Sequence, residues 1–230
     1  MQSYSWDFGY TLETEIKTFP AQLVERRWLS QKTFEITFSK PASYDIRAGQ
    51  RIRIYYQALE RDYTPVSAPQ DPEITFCIRK VDAGQFTPVL STAEIGAQFA
   101  ISGPDGYFTF KPSPRPPVFV ATGTGIAPFC AMVRAGAAGF TLLHGVDDPH
   151  ELYYRSEFEF AADRYIPCIS DKNPSYSEYF RGRVTDYLEQ HLSAAQYDFY
   201  LCGRREMIRE VTWLVDEKYP GSLIYSEMFF

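Results

Sequence analysis

Four prolines lie within seven residues in the segment KPSPRPP, positions 111–117, and they separate two parts of the chain with different patterns. Proline lacks a backbone N–H and fixes φ, so this segment cannot be a helix or a central strand. We interpret it as a linker. The sequence therefore predicts two domains, residues 19–112 and residues 113–230. Residues 1–18 form an N-terminal extension that fits neither pattern.

The first domain consists of short runs rich in β-branched and aromatic residues. They read AQLVERRWL, KTFEITF, RIRIYYQ, EITFCIRKV and QFAISG, and turn residues separate them. Such a series predicts an antiparallel barrel or sandwich. One helix is expected near Thr87–Glu94.

Strands and helices alternate after the linker. The continuous apolar run VFVAT is typical of a strand that is buried on both faces. Helical patterns then alternate with the strand patterns GFTLLHGV, YIPCIS, YDFYLCG and SLIYSEMFF, and one of these helices is expected over ELYYRSEFEFAADR. The alternation predicts an α/β doubly wound parallel sheet with helices on both faces.

Composition excludes several classes of function. The net charge of −6 gives no support for nucleic-acid binding. No apolar run reaches the roughly 20 residues of a membrane helix, and the first residues lack a secretory pattern. The four cysteines and three histidines have no ligand spacing, so we expect no metal site, no disulfide framework and a cytoplasmic location. We interpret the histidines as surface or structural residues.

Ligands of open α/β sheets bind beyond the carboxyl ends of the strands. The first such end reads TGTGIAP, from Thr122 to Pro128. Gly123 and Gly125 would let phosphates approach the backbone at the start of the next helix. A tight strand–helix turn without a ligand remains the alternative, since Pro128 replaces the third glycine or alanine of the dinucleotide pattern.

Three later segments have two interpretations each. Asp147 lies where an acidic residue can bond a ribose hydroxyl, which favours NADH, while Asp148 is expected to cap the following helix. Cys202, at the end of YLCG, is placed to touch a ligand, or it is simply a small buried residue. The terminal EMFF carries either core aromatics or an aromatic that closes over a ring.

The segment RDYT places Arg61 and Tyr63 on the same face of a predicted strand, with Thr64 on the other. Taken alone, this pattern also fits an ordinary edge strand that ends before Pro65.

These motifs occur in an order that resembles the ferredoxin–NADP reductase superfamily, most closely its bacterial ferredoxin/flavodoxin reductase branch. The motifs are RDYT, GQFT at 84–87, GPDGYF at 103–108, GTGIAP at 123–128, YLCG and EMFF. The resemblance covers about residues 20–230. It implies an FAD-binding β-barrel of ferredoxin reductase type, followed by an NAD(P)-binding α/β domain with a flavin-covering tail.

The resemblance also implies roles for individual residues. Arg61 would bind the FAD pyrophosphate with the turn Gly84–Thr87, Tyr63 would pack against the flavin, and Thr64 would lie near flavin N5. Catalytic roles fall to Thr64, Cys202, Glu227 and Phe229, with Phe229 stacking on the isoalloxazine. The cofactor-binding residues predicted from the motifs and the resemblance are Arg61, Asp62, Tyr63, Thr64, Gly84, Gln85, Phe86, Thr87, Thr122, Gly123, Thr124, Gly125, Asp147, Cys202, Gly203, Phe229 and Phe230.

The expected reaction passes hydride from NAD(P)H to FAD and then single electrons to a separate carrier such as ferredoxin or flavodoxin. Asp147 and Asp171 would repel the 2′-phosphate of NADPH, although Lys172, Arg181 and Arg183 leave NADPH possible. A docking face for an acidic carrier is one interpretation of five arginines, and an ordinary solvated surface is the other. These are Arg26, Arg27, Arg47, Arg51 and Arg53.

Other functions remain open. The alternatives are a reductase of free flavin, ferric chelates or quinone, an electron-transfer subunit of a larger complex, and a flavin-free regulatory module.

Overall fold

The computed structural model describes residues 16–171 and 178–229. Most of the predicted N-terminal extension, Lys172 and Phe230 therefore lie outside the described residues. Twelve strands and five α-helices follow within the described ranges.

The first part of the chain forms a six-stranded antiparallel sheet with one helix. Its elements are β1 (Thr18–Trp28), β2 (Thr33–Ser39), β3 (Arg51–Tyr56), β4 (Leu59–Tyr63), β5 (Glu73–Arg79), α1 (Phe86–Thr92) and β6 (Gln98–Asp105). The strand order is β4-β3-β6-β1-β2-β5. Just past β4, Pro65 bridges to Phe76 of β5, and Val66 N–H donates to the Thr75 carbonyl over 2.8 Å. This pairing brings the two ends of the sheet together, and the predicted barrel is confirmed.

The second part forms a six-stranded sheet in which all pairs are parallel. Its elements are β7 (Pro117–Thr122), a 3-10 turn (Gly123–Ile126), α2 (Ala127–Arg134), β8 (Thr141–Val146), a 3-10 turn (Pro149–Glu151), α3 (Arg155–Ala161), β9 (Arg164–Ile169), β10 (Phe180–Arg181), α4 (Val184–His191), β11 (Asp198–Gly203), α5 (Arg205–Lys218) and β12 (Leu223–Met228). The order β10-β9-β8-β7-β11-β12 places β8 and β7 at the centre. Every residue of β11 is buried, as its apolar sequence predicts.

The proline-rich segment between the sheets has no regular secondary structure, and Pro117 starts β7. We propose the domain boundary at residues 112 and 113. One apolar cluster nevertheless spans both parts, since Val66 and Cys77 of the barrel pack with Phe119 and Phe129.

The predicted helix ELYYRSEFEFAADR is shorter than expected. It is interrupted at Tyr154, whose φ of +59° is left-handed, and α3 begins at Arg155. The hydroxyl of Tyr154 donates to Oε1 of Glu35 in the barrel over 2.8 Å. Ser30 and Tyr153 make a second contact of this kind at 3.0 Å. Contact between the domains therefore overrides local helix propensity here.

Within the described ranges, we find no helix with the length and apolar character required for a membrane span.

Candidate functional site

The carboxyl ends of three adjacent strands carry the central residues of the site. Cys202 of β11 pairs with Ala121 of β7 on one side and with Glu227 of β12 on the other. The chain after β7 turns closely against β11, because a Cβ on Gly125 would stand 2.7 Å from the Cys202 carbonyl carbon. Glycine is therefore required at this position.

Gly123 shapes the turn in a different way. Its φ is +52°, and no described atom lies within 4 Å of the position that a Cβ would occupy. The backbone of the turn is thus accessible from outside, as a phosphate-binding loop requires. The carbonyl of Gly123 faces inward and accepts a 3.1 Å hydrogen bond from Nε2 of His144.

Thr122 holds the neighbouring loop. Its hydroxyl accepts a 3.0 Å hydrogen bond from the backbone N–H of Arg204, just after β11. The guanidinium of Arg204 lies 3.5 Å from the carboxylate of Asp147 at the end of β8. Three strand ends are therefore connected through Arg204, a residue that the sequence patterns did not single out.

Asp147 is an exposed carboxylate with two partners. Ser170 donates a 2.7 Å hydrogen bond to it, and this bond together with the charge of Arg204 lowers the pKa of Asp147. The carboxylate is therefore fully ionised at neutral pH. Asp148 caps the 3-10 turn through a 2.9 Å bond from His150 N–H, which confirms the expected cap.

Thr64 connects the barrel to this strand end. Its side chain is buried, and its hydroxyl donates to Oε1 of Glu227 over 2.7 Å. Burial raises the pKa of Glu227, and the bond from Thr64 opposes part of that shift. Cys202 is fully buried, and burial raises its thiol pKa well above the usual range, so it is a neutral thiol and not a nucleophile.

The segment RDYT lies beside the turn GQFT, as its proposed role requires. Tyr63 stacks on Phe86 with ring centroids 6.2 Å apart. Arg61 is exposed and donates to the Glu60 carbonyl, and it forms no ion pair with any described residue. An exposed guanidinium without a carboxylate partner fits a dianionic pyrophosphate.

The GQFT turn has fewer free hydrogen-bonding groups than its predicted pyrophosphate role suggested. Gly84 N–H donates to the Val81 carbonyl over 2.8 Å. The Thr87 hydroxyl accepts from Val81 N–H over 2.9 Å, so both groups already have partners. Gln85 is exposed, and Phe86 is buried in the barrel core. The pyrophosphate role of this turn stays a prediction.

Asp62 makes a bidentate ion pair with Arg53, with distances of 2.7 and 3.0 Å. Its place among the cofactor-binding residues also stays a prediction.

Arg51 pairs with Asp105 at 3.1 Å. Arg27 pairs with Glu35. Carboxylates thus balance three of the five arginines proposed for a docking face, which favours the ordinary solvated surface there.

The terminal aromatic lies at the same strand ends. Phe229 N–H donates to the Gly203 carbonyl over 3.0 Å, and its half-buried ring packs against the apolar cluster that contains Cys202. Phe230, also predicted to bind the cofactor, lies outside the described residues.

Two family models match the chain. "Oxidoreductase FAD-binding domain" matches residues 20–110, and "Oxidoreductase NAD-binding domain" matches residues 119–212. Both matches agree with the exposed cation of Arg61 on the barrel and the open Gly123 turn on the parallel sheet.

Similar curated proteins are named as reductases or as electron transfer components. Ferredoxin–NADP reductase B of Sorangium cellulosum is 31% identical over 219 residues, which cover 84% of this chain and 89% of that protein. The electron transfer component of toluate 1,2-dioxygenase from Pseudomonas putida is 30% identical over 217 residues, which cover 87% of this chain and 64% of that protein. The chain thus spans less than two thirds of the second relative.

Among solved structures, a ferredoxin NADP+ reductase from Neisseria gonorrhoeae with bound FAD and NADP superposes with a TM-score of 0.83. The match covers 94% of this chain and 100% of that chain at 23% identity, and it shows a shared fold.

Proposed function

Because this chain belongs to the ferredoxin reductase family of FAD- and NAD-binding oxidoreductases, we propose that it takes hydride from a nicotinamide dinucleotide and delivers single electrons to a separate carrier. The observation that carries this proposal is the hydrogen bond from Thr64 to Glu227. It brings a barrel hydroxyl into contact with a carboxylate of the parallel sheet, on the residue that pairs with Cys202. Two ligands held by the two domains would meet at this point.

The barrel would hold FAD. Arg61 would bind the pyrophosphate, Tyr63 would pack against the flavin, and Thr64 would direct its hydroxyl toward the ring. The accessible cation of Arg61 and the stacked pair Tyr63–Phe86 support this assignment. Bound FAD would supply the hydride-accepting and one-electron chemistry.

The parallel sheet would hold the nicotinamide dinucleotide. Thr122, Gly123, Thr124 and Gly125 would receive its phosphates, and the buried thiol of Cys202 with Gly203 would face the nicotinamide. Hydride transfer depends mainly on close, oriented stacking, so the principal task of these residues is positioning.

Thr64 and Glu227 would order the reacting edge of the site. The half-buried carboxylate accepts a strong hydrogen bond from Thr64, which fixes its orientation. Phe229 would cover the flavin before the nicotinamide enters and would move aside when it binds.

We propose NADH as the preferred donor. Asp147 is ionised and exposed at the end of β8, where a ribose phosphate would meet like charge. Arg183 is 3.8 Å from Glu210, which reduces the positive charge available to NADPH.

The carrier is proposed to be a ferredoxin or flavodoxin, and the location is proposed to be the cytoplasm. Within the described part of the chain, no group of His, Cys, Asp and Glu has the arrangement of a metal site, and all four cysteines are buried. A second candidate is the reductase component of a larger oxygenase system. The similarity to the toluate dioxygenase component favours it.

The decisive experiment is anaerobic stopped-flow mixing of the FAD-loaded protein with NADH and, separately, with NADPH. We expect rapid bleaching of the flavin band, faster with NADH. A flavin that stays oxidised with both nucleotides would exclude the reductase function. Ferredoxin, flavodoxin, free flavin and quinone added to the reduced protein would then identify the acceptor from their reoxidation rates.

A further inference from the structure

His144 is a fully buried histidine with no place in the proposed chemistry. It lies on β8, next to Ala121 of β7 and Pro167 of β9, at the centre of the parallel sheet. Both ring nitrogens have partners. Nε2 lies 3.1 Å from the Gly123 carbonyl oxygen, and Nδ1 lies 3.3 Å from the Tyr165 hydroxyl.

These partners define the protonation of the ring. A carbonyl oxygen can only accept, so Nε2 carries the hydrogen and donates to Gly123. Burial lowers the pKa of His144 to about 4, so the ring is neutral at physiological pH and Nδ1 is an acceptor. The Tyr165 hydroxyl therefore donates to Nδ1. A donor chain runs from Tyr165 through His144 to Gly123.

The last hydrogen bond of this donor chain fixes the orientation of a peptide plane in the turn that begins at Gly123. In a trans peptide, the carbonyl of one residue and the N–H of the next point in opposite directions. When His144 holds the Gly123 carbonyl inward, the Thr124 N–H must point away from the core. Near the start of a 3-10 turn this N–H has no partner within the turn. No described atom lies within 4 Å of the Gly123 Cβ position, so a ligand can approach the backbone at this peptide.

We propose that His144 and Tyr165 are positioning residues for nucleotide binding, which fix the Gly123–Thr124 peptide so that its N–H faces the dinucleotide phosphates. This inference rests on the proposed function, since it assumes that the Gly123 turn holds those phosphates. Any buried imidazole needs partners for both ring nitrogens, so the test has to separate the effect of these two hydrogen bonds from that of packing.

The test compares variants that separate the hydrogen bonds from packing. His144→Phe keeps a ring and removes the donor, while His144→Gln places an amide N–H near the former Nε2. Tyr165→Phe removes only the hydroxyl. Leu142→Ala, a buried residue two positions earlier on β8, is the control for general loss of core packing.

The measurements are the dissociation constants of NADH and NAD⁺ by calorimetry, the FAD content, and the limiting rate of flavin reduction at saturating NADH. We expect His144→Phe to weaken both nucleotides about tenfold, Tyr165→Phe about threefold, and His144→Gln least. FAD content should be unchanged in all of them. The limiting rate should fall less than affinity, because the reacting edge of the site is untouched.

Normal nucleotide affinity in folded His144→Phe would overturn the inference, and so would an equal loss in Leu142→Ala or the absence of rescue by glutamine. Should His144→Phe fail to fold, Tyr165→Phe with unchanged affinity would overturn it instead. Wild-type protein that binds NADH without flavin reduction would refute the proposed function only, since the affinities still test the positioning role.

Discussion

The Thr64 hydroxyl donates a 2.7 Å hydrogen bond to Oε1 of Glu227, although the two residues are 163 positions apart in the sequence. The bond crosses from the barrel to the last strand of the parallel sheet. Glu227 pairs with Cys202 of the neighbouring strand, so the bond lies at the strand end that carries Cys202. This one hydrogen bond therefore joins the two domains at the proposed reacting centre.

We expect Thr64→Val to slow flavin reduction by NADH about tenfold or more, because the half-buried Glu227 loses its oriented donor. Burial raises the pKa of Glu227 and Thr64 lowers it, so removing the hydroxyl should raise that pKa further. Any step in the pH–rate profile that reports Glu227 should therefore move to higher pH. Stopped-flow rates across pH check this, with Thr64→Ser as the control that keeps the hydroxyl. Equal rates for valine and serine would contradict it.

We expect Asp147→Asn to raise the ratio of kcat/KM for NADPH to that for NADH by a factor of about three to ten, because it removes a charge that repels the 2′-phosphate. Steady-state kinetics with both nucleotides measure the ratio. Asp148→Asn is the matched control, since it removes the neighbouring charge while asparagine still caps the 3-10 turn. An equal change in both variants would indicate a general field effect in place of a local one.

Much of the fold follows from local patterns. β-branched and aromatic runs, followed by alternating apolar strands and amphipathic helices, predict the barrel, the parallel sheet and the strand ends that carry Gly123 and Cys202. The interruption at Tyr154 was not predictable, because its left-handed backbone is tied to Glu35, 119 residues earlier in the sequence. Local propensity contains no information about such a partner.

The site likewise contains residues that the sequence predicted and residues that it did not. The order of short motifs, through the resemblance, assigned Thr64 and Glu227 to one centre, and the structure places them in contact. The sequence analysis interpreted His144 only as a surface or structural residue and did not single out Arg204, since the partners of each lie on other strands. A polar histidine inside the apolar run LLHGV was a weak signal for the first. A cation directly after the YLCG strand end was a signal for the second.

His144 should make the protein sensitive to acid. Its pKa is lowered from 6.5 to about 4 by burial, so at mildly acidic pH the unfolded chain binds a proton that the folded chain excludes. The contribution of neutral His144 to the free energy of unfolding is complete above about pH 6.5. It is lost as the pH falls toward 4, by about 3 kcal/mol in all. Denaturant unfolding of wild type and His144→Gln between pH 7.5 and pH 4, within the ranges where both fold, measures the difference. The curves should converge on acidification, and parallel curves would contradict the assignment.

We expect Gly123→Ala to weaken NADH binding about tenfold at a stability cost of about 1 kcal/mol. The cost arises because φ is +52°, and no neighbouring atom clashes with the new methyl group. Gly136→Ala is the control, since its φ is +100° and its Cβ position is also open. It should be destabilised at least as much without any change in affinity. A normal NADH dissociation constant in Gly123→Ala would show that phosphates do not approach this turn.

We expect Arg61→Gln to weaken FAD binding about ten- to hundredfold, the range for losing charge-assisted hydrogen bonds to a pyrophosphate. Arg61 has no ion pair among the described residues, so its loss should leave the stability of the FAD-free barrel unchanged. Arg53→Gln is the matched control, because Asp62 engages Arg53 in a bidentate pair. Fluorescence titration of the FAD-free proteins gives the dissociation constants. If only Arg61→Gln loses FAD affinity, the Arg61 guanidinium is the pyrophosphate ligand. If only Arg53→Gln loses FAD affinity, the FAD site lies on the Asp62 face of the strand, because the loss of Arg53 would then act through its ion pair with Asp62.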